Sequence, residues 1–203
     1  RRCEEIEQCG ARAASGFAAA GVGTGAAIAL LLRNGYPLLE ASVGARLLGA
    51  YAVPLNWHFT AAEIDYVIRD CDARVVVVDA DLLRLLDVRA LRAEGRTVLV
   101  AASEAGAQHV DEAPPGSTGV RDELQDWSAW LACQTAWEGK PGAATESVIY
   151  TSGTTGRPKG VKRLPATKEQ ALRVAAMREK VYGLVPGIRL IVPAPLYHGA
   201  PNV

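Results

Sequence analysis

The sequence predicts an α/β fold in which largely parallel sheets are flanked by helices. Short apolar runs recur along the chain, separated by segments whose apolar residues fall at helical spacing. Arg74-Val-Val-Val-Val-Asp79 places four valines in a row, the pattern of a strand buried on both faces. The composition, 49% hydrophobic and 22% charged over 203 residues, belongs to a globular chain with a substantial core.

The elements follow in order. Residues 3–20 carry alanine and apolar positions at helical spacing, and Gly21-Val-Gly23-Thr-Gly25 ends them. These glycines follow a helix and precede a strand, the reverse of the dinucleotide-binding arrangement, so they read as a helix-to-strand turn. Strand 26–32 is too short an apolar run to span a bilayer. Helix 37–49 opens on Pro37, a favoured first-turn residue, and 53–55 is short and extended. Thr60 with Glu63 forms a capping box for helix 61–70. Strand 74–79, helix 81–94 and strand 97–102 come next, with Asp79 and Asp81 ending a strand and capping a helix. Residues 103–120 lack periodicity and contain Pro114, Pro115, Gly116 and Gly119, which makes them a surface loop. A helix near 121–133 precedes a second loop, and Trp127, Trp130 and Trp137 are packing residues. Strand 147–151, a helix from Lys168 to Tyr182 and strand 188–193 complete the reading. No internal repeat is visible.

Charge and cysteine usage exclude several classes. Twenty-two Lys and Arg balance twenty-two Asp and Glu, so neither a nucleic-acid surface nor an acidic tail is expected. Cys3, Cys9, Cys71 and Cys133 form no C-x-x-C pair and only three histidines accompany them, which argues against a zinc site or a disulfide framework. Reduced thiols in a cytoplasmic protein are the expectation. No charged segment followed by an apolar stretch and a cleavage site opens the chain, so no signal peptide and no transmembrane segment are expected. The chain begins at Arg1 and stops at Val203, just after an apparent site motif, and reads as a piece of a longer protein.

Residues 150–160, Tyr-Thr-Ser-Gly-Thr-Thr-Gly-Arg-Pro-Lys-Gly, carry the chemistry. Thr151, Ser152, Thr154 and Thr155 supply hydroxyl donors. Gly153, Gly156 and Gly160 allow close backbone approach, and Lys159 adds a mobile cation. A strand that delivers such a loop is suited to cradling polyphosphate. The common P-loop order G-x-x-x-x-G-K-[ST] is absent. Pro158 also biases Arg157 away from helix, so the segment is expected as a loop at the C-terminal edge of the sheet. Lys162 and Arg163 read as solvated.

The pattern Thr-Ser-Gly-Thr-Thr-Gly-x-Pro-Lys-Gly resembles the phosphate-binding signature of the adenylate-forming enzymes, which include acyl-CoA synthetases, adenylation domains of peptide synthetases and firefly-type luciferases. Gly49-Ala-Tyr-Ala-Val-Pro-Leu-Asn56 with Thr60-Ala-Ala-Glu-Ile-Asp-Tyr66 is similar to an early stretch of their large domain. Pro195-Leu-Tyr-His-Gly-Ala-Pro-Asn202 looks like their next core motif in its acyl-CoA synthetase form. Ala26 stands where the family often has an acidic residue.

The resemblance implies that residues 1–203 are an incomplete N-terminal domain of an adenylate-forming enzyme, without the small C-terminal domain and inactive alone. It implies a fatty or aryl acid–CoA ligase. ATP activates a carboxylic acid as an acyl-adenylate with loss of pyrophosphate, and coenzyme A then takes the acyl group. Thr151, Ser152, Gly153, Thr154, Thr155, Gly156 and Lys159 would bind ATP with Mg²⁺, while Tyr197, His198, Gly199 and Asn202 would border the acid. Lys159, Thr155 and His198 are the implied catalytic residues, and no protein metal ligand falls in this stretch. An adenylation module loading a carrier protein, or a non-catalytic nucleotide-binding homologue, are the alternatives.

Overall fold

The computed structural model describes residues 2–102, 124–143, 145–152, 157–185, 187–189, 191–192 and 194–199, residue 152 by its backbone only. The expected loop 103–120 and the expected site residues Gly153, Thr154, Thr155, Gly156 and Asn202 lie outside them.

β1 (Ala27–Leu31), β2 (Tyr51–Pro54), β3 (Ala73–Asp79), β4 (Thr97–Ala101) and β5 (Gln125–Asp126) form one parallel sheet in the order β2-β1-β3-β4-β5. Helices cover both faces, so the side chains of the central strands alternate between two cores. Ile28, Leu30, Val75, Val77 and Leu99 point to one core, completed by helices α1 (Cys3–Ala19), α2 (Tyr36–Leu47) and α5 (Trp127–Ala132). Ala29, Leu31, Val76 and Val78 point to the other, completed by α3 (Ala61–Asp70) and α4 (Val88–Ala93). The four-valine run is thus apolar throughout because neither face meets water.

Two contacts fix the first helical layer. A Cβ on Gly44 of α2 would stand 2.8 Å from Ala13 Cβ and 3.1 Å from both Ala14 N and Gly10 O, so α1 and α2 meet backbone to backbone. The Trp127 indole N–H donates to the buried Glu40 carboxylate over 2.8 Å. The tryptophans do pack: Trp127 and Trp130 both lie against Phe17.

Most predicted elements form within a residue or two of their expected bounds. Helix 81–94 does not form as one piece. A 3-10 segment (Ala80–Leu85) comes first, and Asp87 then starts α4 by accepting the Ala90 N–H at 3.0 Å. Asp79 ends β3 as expected, but its side chain caps nothing: its Oδ2 accepts the Arg33 N–H at 2.7 Å. Strand 188–193 is absent among its described residues, and Ile188, Ile191 and Val192 are exposed. A strand needs a neighbour for its N–H and C=O groups, and these residues have no ladder partner. The helix expected from Lys168 to Tyr182, α6, forms to the residue. A Thr167–Gln170 capping box starts it and Gly183 stops it at φ 65°, although none of its residues is buried.

Gly44→Leu introduces a better helix former where no side chain fits. Overpacking costs about 1–3 kcal/mol or more, so the melting temperature should fall, by about 2–4 °C per kcal/mol in a chain this long. A rise would show that α1 and α2 can move apart freely.

Asp79 is 5% exposed. Burial, countered by its bond from the Arg33 N–H and reinforced by the nearby Asp81 charge, raises its pKa from 3.8 to about 6. The folded state therefore holds a proton that the unfolded chain has lost over that interval, and this group's contribution to stability falls as pH rises through it. Asp79→Asn keeps an acceptor for the Arg33 N–H without the charge. Urea unfolding of both proteins should show the variant gaining on the wild type between about pH 4 and about pH 6. A difference independent of pH would contradict the assignment.

Candidate functional site

The phosphate-loop sequence is mounted on a hairpin. β6 (Tyr150–Ser152) pairs antiparallel with β7 (Pro158–Gly160), setting Tyr150 opposite Gly160, Thr151 opposite Lys159 and Ser152 opposite Pro158. Opposite residues of an antiparallel pair share a face, and successive residues alternate. Tyr150 and Pro158 are buried, whereas Thr151 and Lys159 are exposed. One face of the hairpin thus anchors it, and the other presents a hydroxyl beside a cation. Gly160 is required by packing, because a Cβ there would lie 2.5 Å from the Tyr150 ring.

The anchor is polar as well as apolar. The Tyr150 hydroxyl donates to Asp70 Oδ2 and the Tyr66 hydroxyl to Asp70 Oδ1, at the last turn of α3. Desolvation, with the Asp70 bond second, pushes the Tyr150 phenol above its ordinary value. The Arg157 guanidinium lies 5.4 Å over the Tyr66 ring. Beyond β7, Lys162 Nζ donates to Gly25 O over 2.7 Å and sits 4.4 Å above the Tyr51 ring, while the Tyr51 hydroxyl donates to Arg163 O over 2.8 Å. Val148 N–H donates to Ala52 O over 2.9 Å. Lys162 is therefore not simply solvated. The hairpin is rooted where β1 and β2 begin, while residues 153–156 of the loop expected at the C-terminal edge of the sheet lie outside the described residues. The rooting rests on this set of anchors, none of which has a signature in the sequence.

The second motif sits at the opposite end of the strands. His198 N–H donates to Pro195 O over 3.1 Å, closing a turn. Within it Tyr197 is buried and lies 4.5 Å from the exposed His198 ring, and Gly199 is exposed beside them. Tyr197 meets Trp57 edge to face at 4.6 Å. Arg33 lies 5.6 Å over Trp57 and donates to Asp81 Oδ2 from Nη2 over 2.7 Å and from Nε over 3.2 Å. Asn34 Nδ2 donates to Ala194 O over 2.9 Å, and its Oδ1 accepts the Leu196 N–H at 2.8 Å.

The fold brings Thr151 and Lys159 together, and separately Tyr197 and His198. The described contacts hold these two pairs at different ends of β1 and β2. Sequence reading missed Arg33, Asn34 and Trp57. The available signal was position: in a parallel sheet, ligand sites gather past the carboxyl ends of the strands where strand order reverses, here between β1 and β3.

Among the described residues no group of three or more His, Cys, Asp or Glu could hold a metal ion, all four cysteines are free, and no helix is long and apolar enough to cross a membrane.

The arrangement matches known proteins along nearly its whole length. The long-chain-fatty-acid–CoA ligase FadD13 of Mycobacterium tuberculosis is 28% identical over 201 residues, which cover 93% of this chain and 34% of that protein. The 3-hydroxybenzoate–CoA/4-hydroxybenzoate–CoA ligase of Thauera aromatica is 28% identical over 199 residues, 96% of this chain and 35% of that one. The structure of apo MatB from Rhodopseudomonas palustris shares the fold with a TM-score of 0.71 at 23% identity, over 96% of this chain and 35% of its own. The chain thus spans about a third of the length of these relatives. Residues 3–201 match the AMP-binding enzyme family, and with the phosphate-loop sequence on its hairpin and the Tyr197–His198 turn in place, the chain belongs to that family.

Proposed function

We propose that this chain is the N-terminal part of the large domain of a cytoplasmic ligase that activates a fatty or aryl carboxylic acid with ATP and passes it to coenzyme A. The observation that carries this reading is the outward face of the hairpin, where Thr151 and Lys159 stand side by side in solvent at the root of a Gly- and Thr-rich loop. A triphosphate needs such a face: donors fixed by a rigid pair of strands, and a cation on a long arm that follows charge as it moves.

In the first step a carboxylate oxygen attacks the α-phosphorus of ATP, and pyrophosphate leaves with the electron pair of the α–β bridging bond. Thr151, Ser152, Gly153, Thr154, Thr155 and Gly156 would receive the β- and γ-phosphates, with Lys159 neutralising charge that accumulates on the departing pyrophosphate. Each charge-assisted bond is worth about 1.5–3 kcal/mol. In the second step the thiol of coenzyme A attacks the acyl carbon and AMP leaves. Tyr197, His198, Gly199 and Asn202 would border the acid. Mg²⁺ would accompany the nucleotide, and the described residues offer no His, Cys, Asp or Glu ligand group for it. The small C-terminal domain and the adenine and ribose contacts would come from further chain.

The test uses the complete protein. Pyrophosphate exchange that depends on a fatty or aryl acid supports adenylation. Transfer to coenzyme A rather than to a carrier protein then separates the ligase from a carrier-loading module, and no exchange with any acid would leave only nucleotide binding. Lys159→Ala should slow pyrophosphate exchange by roughly 10- to 150-fold while transfer from preformed acyl-adenylate to thiol stays near the wild-type rate. An equal loss in both steps would contradict the role given to Lys159.

A further inference from the structure

We propose that Asn34 is a positioning residue for the acid-binding motif, setting the Tyr197–His198 turn in place by acting as a one-residue substitute for a neighbouring strand. The proposal rests on the reading above.

A side-chain amide offers the same donor and acceptor as a peptide unit. Asn34 uses both, donating to Ala194 O at 2.9 Å and accepting from Leu196 N at 2.8 Å. These two groups flank Pro195, which has no N–H of its own, so the side chain satisfies the backbone on either side of the proline as an adjacent strand would. The partners also settle the amide's orientation: only the oxygen can face an N–H and only the nitrogen a carbonyl. Residues 191, 192, 194 and 195 join no strand, so this amide supplies what a ladder would have supplied.

The support is rigid. Arg33 N–H, one residue earlier, is bonded to Asp79 at the end of β3, and Leu55 N–H, just past β2, is bonded to Leu30 O of β1. Trp57 braces the turn from the side through its edge contact with Tyr197, and Arg33, held by Asp81, covers Trp57. The turn bearing His198 is thus referenced to three strand ends, and Asn34 is its direct hydrogen-bonded tie to them.

Asn34→Ala removes both bonds at an exposed position, so the variant should fold. In the complete enzyme it should raise KM for the acid and lower kcat, together by at least about fivefold, with KM for ATP within about twofold of wild type. Asn34→Gln, which carries the same amide on a longer arm, should recover part of the loss. Because the effect runs through the turn, Asn34→Ala should add little on a His198→Ala background. Hydrogen exchange of residues 194–199 should quicken in Asn34→Ala while β1 and β3 stay protected. An active wild type whose Asn34→Ala variant keeps its acid KM and kcat, or in which the Asn34 and His198 losses simply add, overturns this proposal alone. A wild type that adenylates no carboxylic acid overturns the reading beneath it, and this proposal with it.

Discussion

β1 has neither a free edge nor an exposed face. It is laddered to β2 on one side and β3 on the other, and all five of its residues are buried. Shifting it by one residue would turn Ile28 and Leu30 out of one core and Ala29 and Leu31 out of the other. Both cores and both neighbouring ladders therefore fix its position. The two candidate parts of the site take their bearings from its ends. Gly25, two residues before it, accepts the Lys162 ammonium beneath the hairpin. Asn34, three residues after it, holds the turn that bears His198. A site assembled from sequence-distant loops needs such a common reference, and here the most constrained strand in the sheet provides it.

What could be read from the sequence was what the chain decides locally. The valines of β3 fix a doubly buried strand without reference to anything else. Thr60 with Glu63, and Thr167 with Gln170, mark helix starts through bonds that span three residues. Failures occurred where a distant partner decides the outcome. Asp79 reads as a cap until Arg33, far away in sequence, claims its carboxylate. Residues 188–193 have strand composition, yet a strand is a relation between two segments. Asp87 is local by contrast: its side chain bonds to the Ala90 N–H three residues on and divides the stretch expected as one helix, 81–94. The phosphate-loop sequence was legible as chemistry, because hydroxyls, glycines and a lysine in that order suit few tasks. Its placement was not, because Tyr150, Lys162 and Arg163 find Asp70, Gly25 and Tyr51 only in the fold.

The hairpin divides its labour by alternation. The inward residues, Tyr150, Pro158 and the side-chain-free Gly160, fix the strands against α3 and against each other. The outward residues, Thr151 and Lys159, contribute little to that anchoring and remain free for a ligand. Exposed and packing positions thus fall on different residues of the same short segment. On the proposed function, a change on the outward face would alter reactivity with little effect on the fold, whereas a side chain at Gly160 would displace the ring beneath it.

α3 links the two ends of the sheet at which the hairpin and the His198 turn are held. In a β-α-β crossover between parallel strands the helix runs back against them, so α3 starts near the carboxyl ends of the strands and finishes near their beginnings. Tyr150 reaches Asp70, in the last turn of α3, whereas Arg157 lies over Tyr66, about one turn and roughly 6 Å nearer the helix start. The two described strands of the hairpin therefore both lie against the second half of α3, whose start faces the edge where Asn34 and Trp57 hold the Tyr197–His198 turn. The proposed attack of a carboxylate on phosphorus would require reacting atoms about 3–3.5 Å apart. Tyr150 and Lys162 root the hairpin at one end of the sheet, and Asn34 clamps the Tyr197–His198 turn at the other, so each candidate half of the site has an independent anchor on the same strands.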